Sequence, residues 1–298
     1  MKPKLRKQLT TILKISVSAL LIWLVFSKLN WNEVGRLLQV ANIIYFGLAV
    51  ICFLVSQLVS VLRFDLFIRK IGIRMSFSVN IQLYLLGMFY NFFLPGGVGG
   101  DAYKVYLLNK SHQKSLKKIG EVVFIERFVG VVAIGFLASM LILFIETPLS
   151  RLWNIGIGFC GFFMTLVILK WVIRYLHSHK KRVYIVFAYS ILIQLLQLCC
   201  VFFILKSFHI DDHYLIYLLL FLISSVLSVI SFAGIGIREA VFYYGAHWYD
   251  FSPDISASVA LSFSIFTAIV SFAGIIWLFG GIRLENKQKQ KDTRSKIF

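Results

Sequence analysis

Between Asn91 and Lys104 an apolar run that begins like a membrane helix is cut by one proline and four glycines, in the order N-F-F-L-P-G-G-V-G-G-D-A-Y-K. Asp101 follows directly. In lipid an unpaired backbone group costs several kcal/mol, so an open turn at depth survives only inside protein or beside a watered cavity. A chain that breaks a helix there, and then adds a carboxylate, marks its own functional centre.

The rest of the sequence supplies the membrane. Of 298 residues 59% are hydrophobic, and the mean hydropathy is +0.83. Soluble domains do not carry this much apolar sequence. A membrane helix needs roughly 20 mainly apolar residues. Six such runs are present: Ile12–Leu29, Ile43–Leu62, Glu121–Ile145, Trp153–Leu169, Val183–Leu205 and Ser256–Ile282. Two more, Asn80–Pro95 and Tyr214–Ala233, each lead into a glycine-rich break. The basic N-terminus before the first run resembles a signal peptide but is followed by no small-residue cleavage site, so that run reads as a retained helix. Cys52, Cys160, Cys199 and Cys200 lie in apolar runs and behave as small hydrophobes, with neither disulfide nor zinc spacing. The net charge of +18 is spread over short loops, which fits orientation and anionic headgroups better than nucleic acid.

Lysine and arginine placement distinguishes two threadings. If all eight segments cross, 17 cations fall inside and 13 outside. If the two broken segments enter and leave by the same face, 25 fall inside and only Lys28, Arg36, Arg151 and Lys206 outside, with Arg127 and Arg238 in the membrane. The positive-inside rule favours the second. The expectation is an all-α, polytopic integral membrane protein with six full transmembrane helices and two oppositely inserted re-entrant hairpins, both termini cytoplasmic. Residues 1–282 form one domain, with hairpins at about 80–110 and 214–250, and 283–298 form a basic cytoplasmic tail. Two ordinary spans with glycine kinks are the competing reading. Helix–hairpin–helix units inserted opposite ways up are a recurring transporter plan, with broken helices meeting near the midplane.

The candidate residues cluster at the breaks. Asp101 is placed to cap a return helix; alternatively the glycine turn of Gly97, Gly99 and Gly100 forms an anion site at that helix start. Glu126 and Arg127 lie deep in a span, where unpaired charge is costly. Adjacent helix positions diverge, so Arg127 is expected to meet Asp101 or a substrate phosphate, and Glu126 a second cation. In the second break, Gly234 and Gly236 permit a tight turn. Glu239 there favours a helix start, and Arg238 offers a cation suited to phosphate or carboxylate. A plain cap with a local salt bridge is the alternative. His177, His179, His209 and His213 read as solvated loop residues. No catalytic triad, Walker loop or dinucleotide fingerprint is present, and no metal or cofactor is expected.

At these residues the chain resembles the flippase-like transmembrane region of lysylphosphatidylglycerol synthases, which also occurs as stand-alone membrane proteins. The resemblance rests on Arg63, the N-x-x-x-P-G-x-x-G-G-D stretch from Asn91 to Asp101, Glu126-Arg127 with Gly130, and G-x-G-x-R-E from Gly234 to Glu239. It implies lipid translocation, and it implies that Asp101, Arg127, Arg238 and Glu239 belong to a central cavity. Three departures stand out: Lys104 where the family often has Arg, Glu126 where it often has Asp, and no soluble aminoacyl-transferase domain. The expected function is therefore a non-enzymatic flippase of a prokaryotic cytoplasmic membrane. Its cargo is an anionic or aminoacylated phospholipid or a polyprenyl-phosphate-linked intermediate, bound by Asn91, Lys104 and the residues above. A membrane-embedded lipid transferase, or a non-catalytic partner of a lipid-modifying enzyme, is the alternative.

Overall fold

The computed structural model describes residues 41–93, 99–145, 150–175, 180–228, 236–249 and 251–280, with Gly35, Gln39 and Ile282. The expected first span, Ile12–Leu29, and the basic tail lie outside these. The described chain is helical throughout: α1 (Ile43–Lys70), α2 (Phe77–Phe93), α3 (Gly99–His112), α4 (Leu116–Leu141), α5 (Arg151–Tyr175), α6 (Lys180–Ser207), α7 (Tyr214–Leu227), α8 (Ile237–Trp248), α9 (Pro253–Phe272) and α10 (Ile275–Gly280). Five stretches are long and apolar enough to cross a membrane: α1, α4 with its 3₁₀ extension to Phe144, α5, α6 from Val183, and Pro253–Leu278. The protein is thus an all-helical membrane protein.

Asn42 starts α1 by accepting a hydrogen bond from Ile44 N at 3.0 Å, which satisfies one orphan donor of the first turn. Ala49, Phe53, Ser56, Ser60, Arg63, Phe64 and Phe67 are buried, and their three-to-four-residue spacing makes one inward stripe. Leu54, Leu58 and Leu62 remain exposed on the other side. Helix α5 is more exposed still, with Leu152, Trp153, Met164 and Val167 outermost. Such apolar exteriors fit lipid rather than water.

Helices α1 and α6 run antiparallel. Asn42 N donates to Ser207 O at 2.9 Å, and Ser207 Oγ donates to Asn42 O at 3.2 Å, so the start of α1 is tied to the end of α6. A large aromatic and aliphatic cluster joins α1, α6, α7, α8 and α9, with Phe53 edge-on to Phe263 at 5.3 Å between ring centres. Beyond α6, Asp211 Oδ1 accepts from Lys206 Nζ at 2.6 Å and from Tyr214 Oη at 2.7 Å. Lys206 first, then Tyr214, holds that carboxyl below its usual range.

The broken segments are two pairs of short helices. With 17, 14, 14 and 12 residues, α2, α3, α7 and α8 measure roughly 25, 21, 21 and 18 Å at ~1.5 Å per residue. None matches the ~30 Å of a hydrocarbon core. Within each pair the two helices pack on one another.

One expected span, found as the stretch Pro253–Leu278, carries a turn. The run Ser256–Ile282 turns at Ala273–Gly274, separating α9 from α10. A Cβ on Gly274 would stand 2.3 Å from Leu85 O of α2. The turn lets the chain pass within backbone contact of the first short-helix pair.

Candidate functional site

Backbone contact also builds the α2–α3 pair. A Cβ on Gly100 would lie 1.8 Å from Gly87 O, closer than any two such atoms can approach. Gly100 N donates to Asn91 Oδ1 at 2.8 Å, so Asn91 clips the end of α2 to the start of α3. Helix α3 already contains Gly99 and Gly100, so Asp101 stands inside its first turn. The expected N-cap role is corrected accordingly, because the carboxylate is committed elsewhere.

Asp101 forms ion pairs with Arg127 of α4 and, at 3.5 Å, with Lys104 one turn further along α3. Lys104 is boxed in. Its ammonium lies 4.5 Å from the Tyr84 ring centre and 5.0 Å from that of Phe64. Gly87 forms the floor, where a Cβ would come within 2.1 Å of Lys104 Cε. Cation–π contact of this kind stabilises a desolvated ammonium by about 2 kcal/mol.

Glu126 turns the other way and pairs with Arg63 of α1. Arg63 Nη1 also donates to Ser190 Oγ of α6 at 2.9 Å. Gly130, one turn after Glu126, leaves room for the guanidinium, since a Cβ there would lie 3.2 Å from Nη1. Adjacent residues of one helix thus serve two partners on opposite sides. The assembly holds three cations and two carboxylates, a net charge of +1. Arg127 is its most open member, with 30% of its side chain exposed.

This arrangement predicts a large effect of Asp101→Asn, which leaves Lys104 and Arg127 facing a neutral amide. A loss of about 3 kcal/mol is expected, read as a lower melting temperature in detergent. Arg127→Gln added to it should restore part of the loss.

The second short-helix pair carries its charge differently. Gly236 sits at φ +90° at the start of α8, a conformation that side chains other than glycine rarely adopt. Glu239 completes a capping box: Oε2 accepts from Gly236 N at 2.5 Å, and Oε1 accepts from Ser264 Oγ of α9 at 2.7 Å. Arg238 is buried, with its guanidinium 4.7 Å from the Phe263 ring centre and 5.6 Å from that of Phe221. Its Nε has no hydrogen-bond partner. Among the described residues no carboxylate pairs with it.

The two charge sets do not form one constellation. Arg63 lies on α1, whereas Arg238 stacks on Phe263, whose ring packs edge-on against Phe53 of α1. Ten residues of helix separate these levels, about 15 Å. The expected meeting of both hairpins' charges at one depth is replaced by two layers. Gly97 and Gly234 lie outside the described residues. Phe64, Tyr84, Gly87, Ser190, Phe221, Phe263 and Ser264 were not singled out by sequence reasoning. Only Ser190 and Ser264, polar residues inside apolar spans, carried any signal. Among the described residues no three His, Cys, Asp or Glu side chains come together as a metal site.

Helices of membrane length packed around layers of buried charge define a polytopic membrane protein. The family described as the lysylphosphatidylglycerol synthase TM region matches residues 11–184 and 173–275, and the chain belongs to it. It is also 25% identical over 170 residues to a UPF0104 membrane protein of Pyrococcus horikoshii. That match covers 55% of this chain and 49% of the relative, so the chain spans about half the length of the curated protein it matches.

Proposed function

We propose that this protein moves an anionic lipid across a prokaryotic cytoplasmic membrane. The cargo is an anionic or aminoacylated phospholipid, or a lipid of the polyprenyl-phosphate-linked type. The observation that carries this reading is Arg238, a buried guanidinium facing phenyl rings and paired with no described carboxylate, while the other deep charges among the described residues, Glu239 included, have polar partners. A buried cation whose neighbouring carboxylate is turned to other donors, as Glu239 is to Gly236 N and Ser264 Oγ, is expensive to keep unless something anionic visits it.

The short-helix pairs support the route. On this reading α2–α3 and α7–α8 are re-entrant hairpins inserted from opposite faces, with six full spans around them and both termini cytoplasmic. The antiparallel α1 and α6, which open the two helix–hairpin–helix units, fit that inversion. The Arg127 layer and the Arg238 layer would then be successive stations for a phosphate whose tails stay in lipid. Binding differences between the two stations, rather than any chemical step, would drive alternating exposure. Asn91, Gly99, Gly100 and Lys104 act on this reading through the fold of the first hairpin.

The test is transport in proteoliposomes, scored by accessibility of fluorescent phosphatidylglycerol to an external quencher. Wild type is expected to accelerate exchange. Arg238→Gln should slow it roughly 10- to 100-fold, the worth of a lost charged hydrogen bond, with Arg238→Lys intermediate. Exchange by Arg238→Gln at the wild-type rate would sink the reading. The family's description as part of a synthase favours one rival, a membrane-embedded lipid transferase. Purified protein that converts a headgroup donor and lipid acceptor into product would establish that instead.

A further inference from the structure

The geometry points to a singly charged phosphodiester as the headgroup the Arg238 layer accepts, to the exclusion of phosphomonoesters and diphosphates. This rests on Arg238 being the cation that meets cargo. It narrows the cargo to a glycerophospholipid or a polyprenyl phospho-sugar, both diesters, and rejects polyprenyl phosphate and diphosphate-linked lipids.

The argument is one of charge. Between Lys206 and Arg283 the chain contains a single Lys or Arg, namely Arg238. No second cation can therefore come from α7, α8 or α9, or from the loops joining them. The positive end of α8 is already engaged, because Glu239 accepts from Gly236 N and is held in place by Ser264. A visiting anion meets one full positive charge with one fixed negative charge on the next residue. A phosphodiester, carrying one charge, neutralises the guanidinium. A monoester or diphosphate brings at least part of a second charge into a low-dielectric site beside Glu239, where repulsion is strong.

The other cations of the described residues lie elsewhere. Arg63, of the Arg127 layer, lies ten residues along α1 from Phe53, the ring against which Phe263 packs, about 15 Å, further than the two phosphorus atoms of one diphosphate can reach. Within that layer Lys104 is enclosed by Gly87, Phe64 and Tyr84 and paired to Asp101. Among the described residues no cation compensates the second charge of a diphosphate at Arg238.

The experiment compares lipids with identical dioleoyl tails: phosphatidylglycerol, phosphatidic acid and diacylglycerol pyrophosphate. Each competes against fluorescent phosphatidylglycerol for the full chain in nanodiscs of neutral lipid at pH 8. Phosphatidylglycerol should compete at least about tenfold better than the pyrophosphate, with phosphatidic acid between them. Glu239→Gln, which keeps an acceptor for Gly236 N but removes the charge, should narrow that gap. Equal or tighter binding of the pyrophosphate by wild type overturns the inference and leaves lipid transport standing. So does an unchanged gap in a monodisperse Glu239→Gln protein. If no lipid binds in a manner lost in Arg238→Gln, the transport reading falls as well.

Discussion

Glu126→Gln is expected to be among the most damaging single substitutions outside the glycine contacts. It removes the charge that neutralises Arg63, whose side chain is only 10% exposed. Arg63 retains Ser190 Oγ as a hydrogen-bond acceptor, but a hydroxyl supplies no countercharge. Breaking one member of a buried pair costs about 3–5 kcal/mol, chiefly because the remaining charge is stranded. At ~2–4 °C per kcal/mol for a chain of this size class, the melting temperature in detergent should fall by roughly 10 °C. The second substitution identifies the cause. Arg63→Gln combined with Glu126→Gln should recover most of the loss, since two amides of similar shape can bond to each other. Arg127→Gln combined with Glu126→Gln should recover none, because Arg127 serves Asp101. Recovery by Arg127→Gln instead would mean that the adjacent charges belong to one network and that the partition between α1 and α3 is wrong.

That partition shows where sequence reading stops. Spans are legible because about 20 apolar residues in a row have few other fates, and α1, α4, α5 and α6 lie where those runs are. Deep charges are legible as a problem: Asp101, Glu126 and Arg127 must be neutralised, and pairing of Arg127 with Asp101 is one of two solutions that the sequence leaves open. Choosing Arg63 for Glu126 requires the rotation of α1 about its own axis and its distance from α4, across 63 residues of sequence. Neither quantity is written in local composition. Arg238 is harder again, because its partners are rings. With 29 phenylalanines in the chain, nothing marks Phe221 and Phe263 as the two that face a guanidinium. The turn at Gly274 escaped because one glycine in an apolar run is tolerated by a helix; only the nearness of Leu85 O makes it necessary here.

Gly100→Ala should abolish the α2–α3 packing. The added methyl would lie 1.8 Å from Gly87 O, 2.7 Å from Gly87 C and 2.8 Å from Asn91 Oδ1. Two of these are backbone atoms of a helix that cannot swing aside as a side chain can. Relief requires the two helices to separate by more than an ångström. That would pull Gly100 N from Asn91 Oδ1 and shift Asp101, the next residue, away from Arg127. Overpacking alone costs about 1–3 kcal/mol, and the disturbed ion pair adds to it, so aggregated protein in place of a monodisperse peak is the expected readout. Two companions grade the effect. Gly87→Ala meets Lys104 Cε at 2.1 Å, a flexible side chain that can yield but only by leaving Tyr84 and Phe64, so an intermediate loss of about 1–2 kcal/mol is expected. Gly120→Ala, in α4 with nothing within 4 Å, should be neutral or stabilising by up to about 1 kcal/mol, since alanine favours a helix. A Gly100→Ala protein that melts with the Gly120→Ala protein would show that α2 and α3 do not touch through their backbones. The placement of Asp101 between Lys104 and Arg127 would then lose its foundation, because that contact sets the height at which α3 presents its carboxylate.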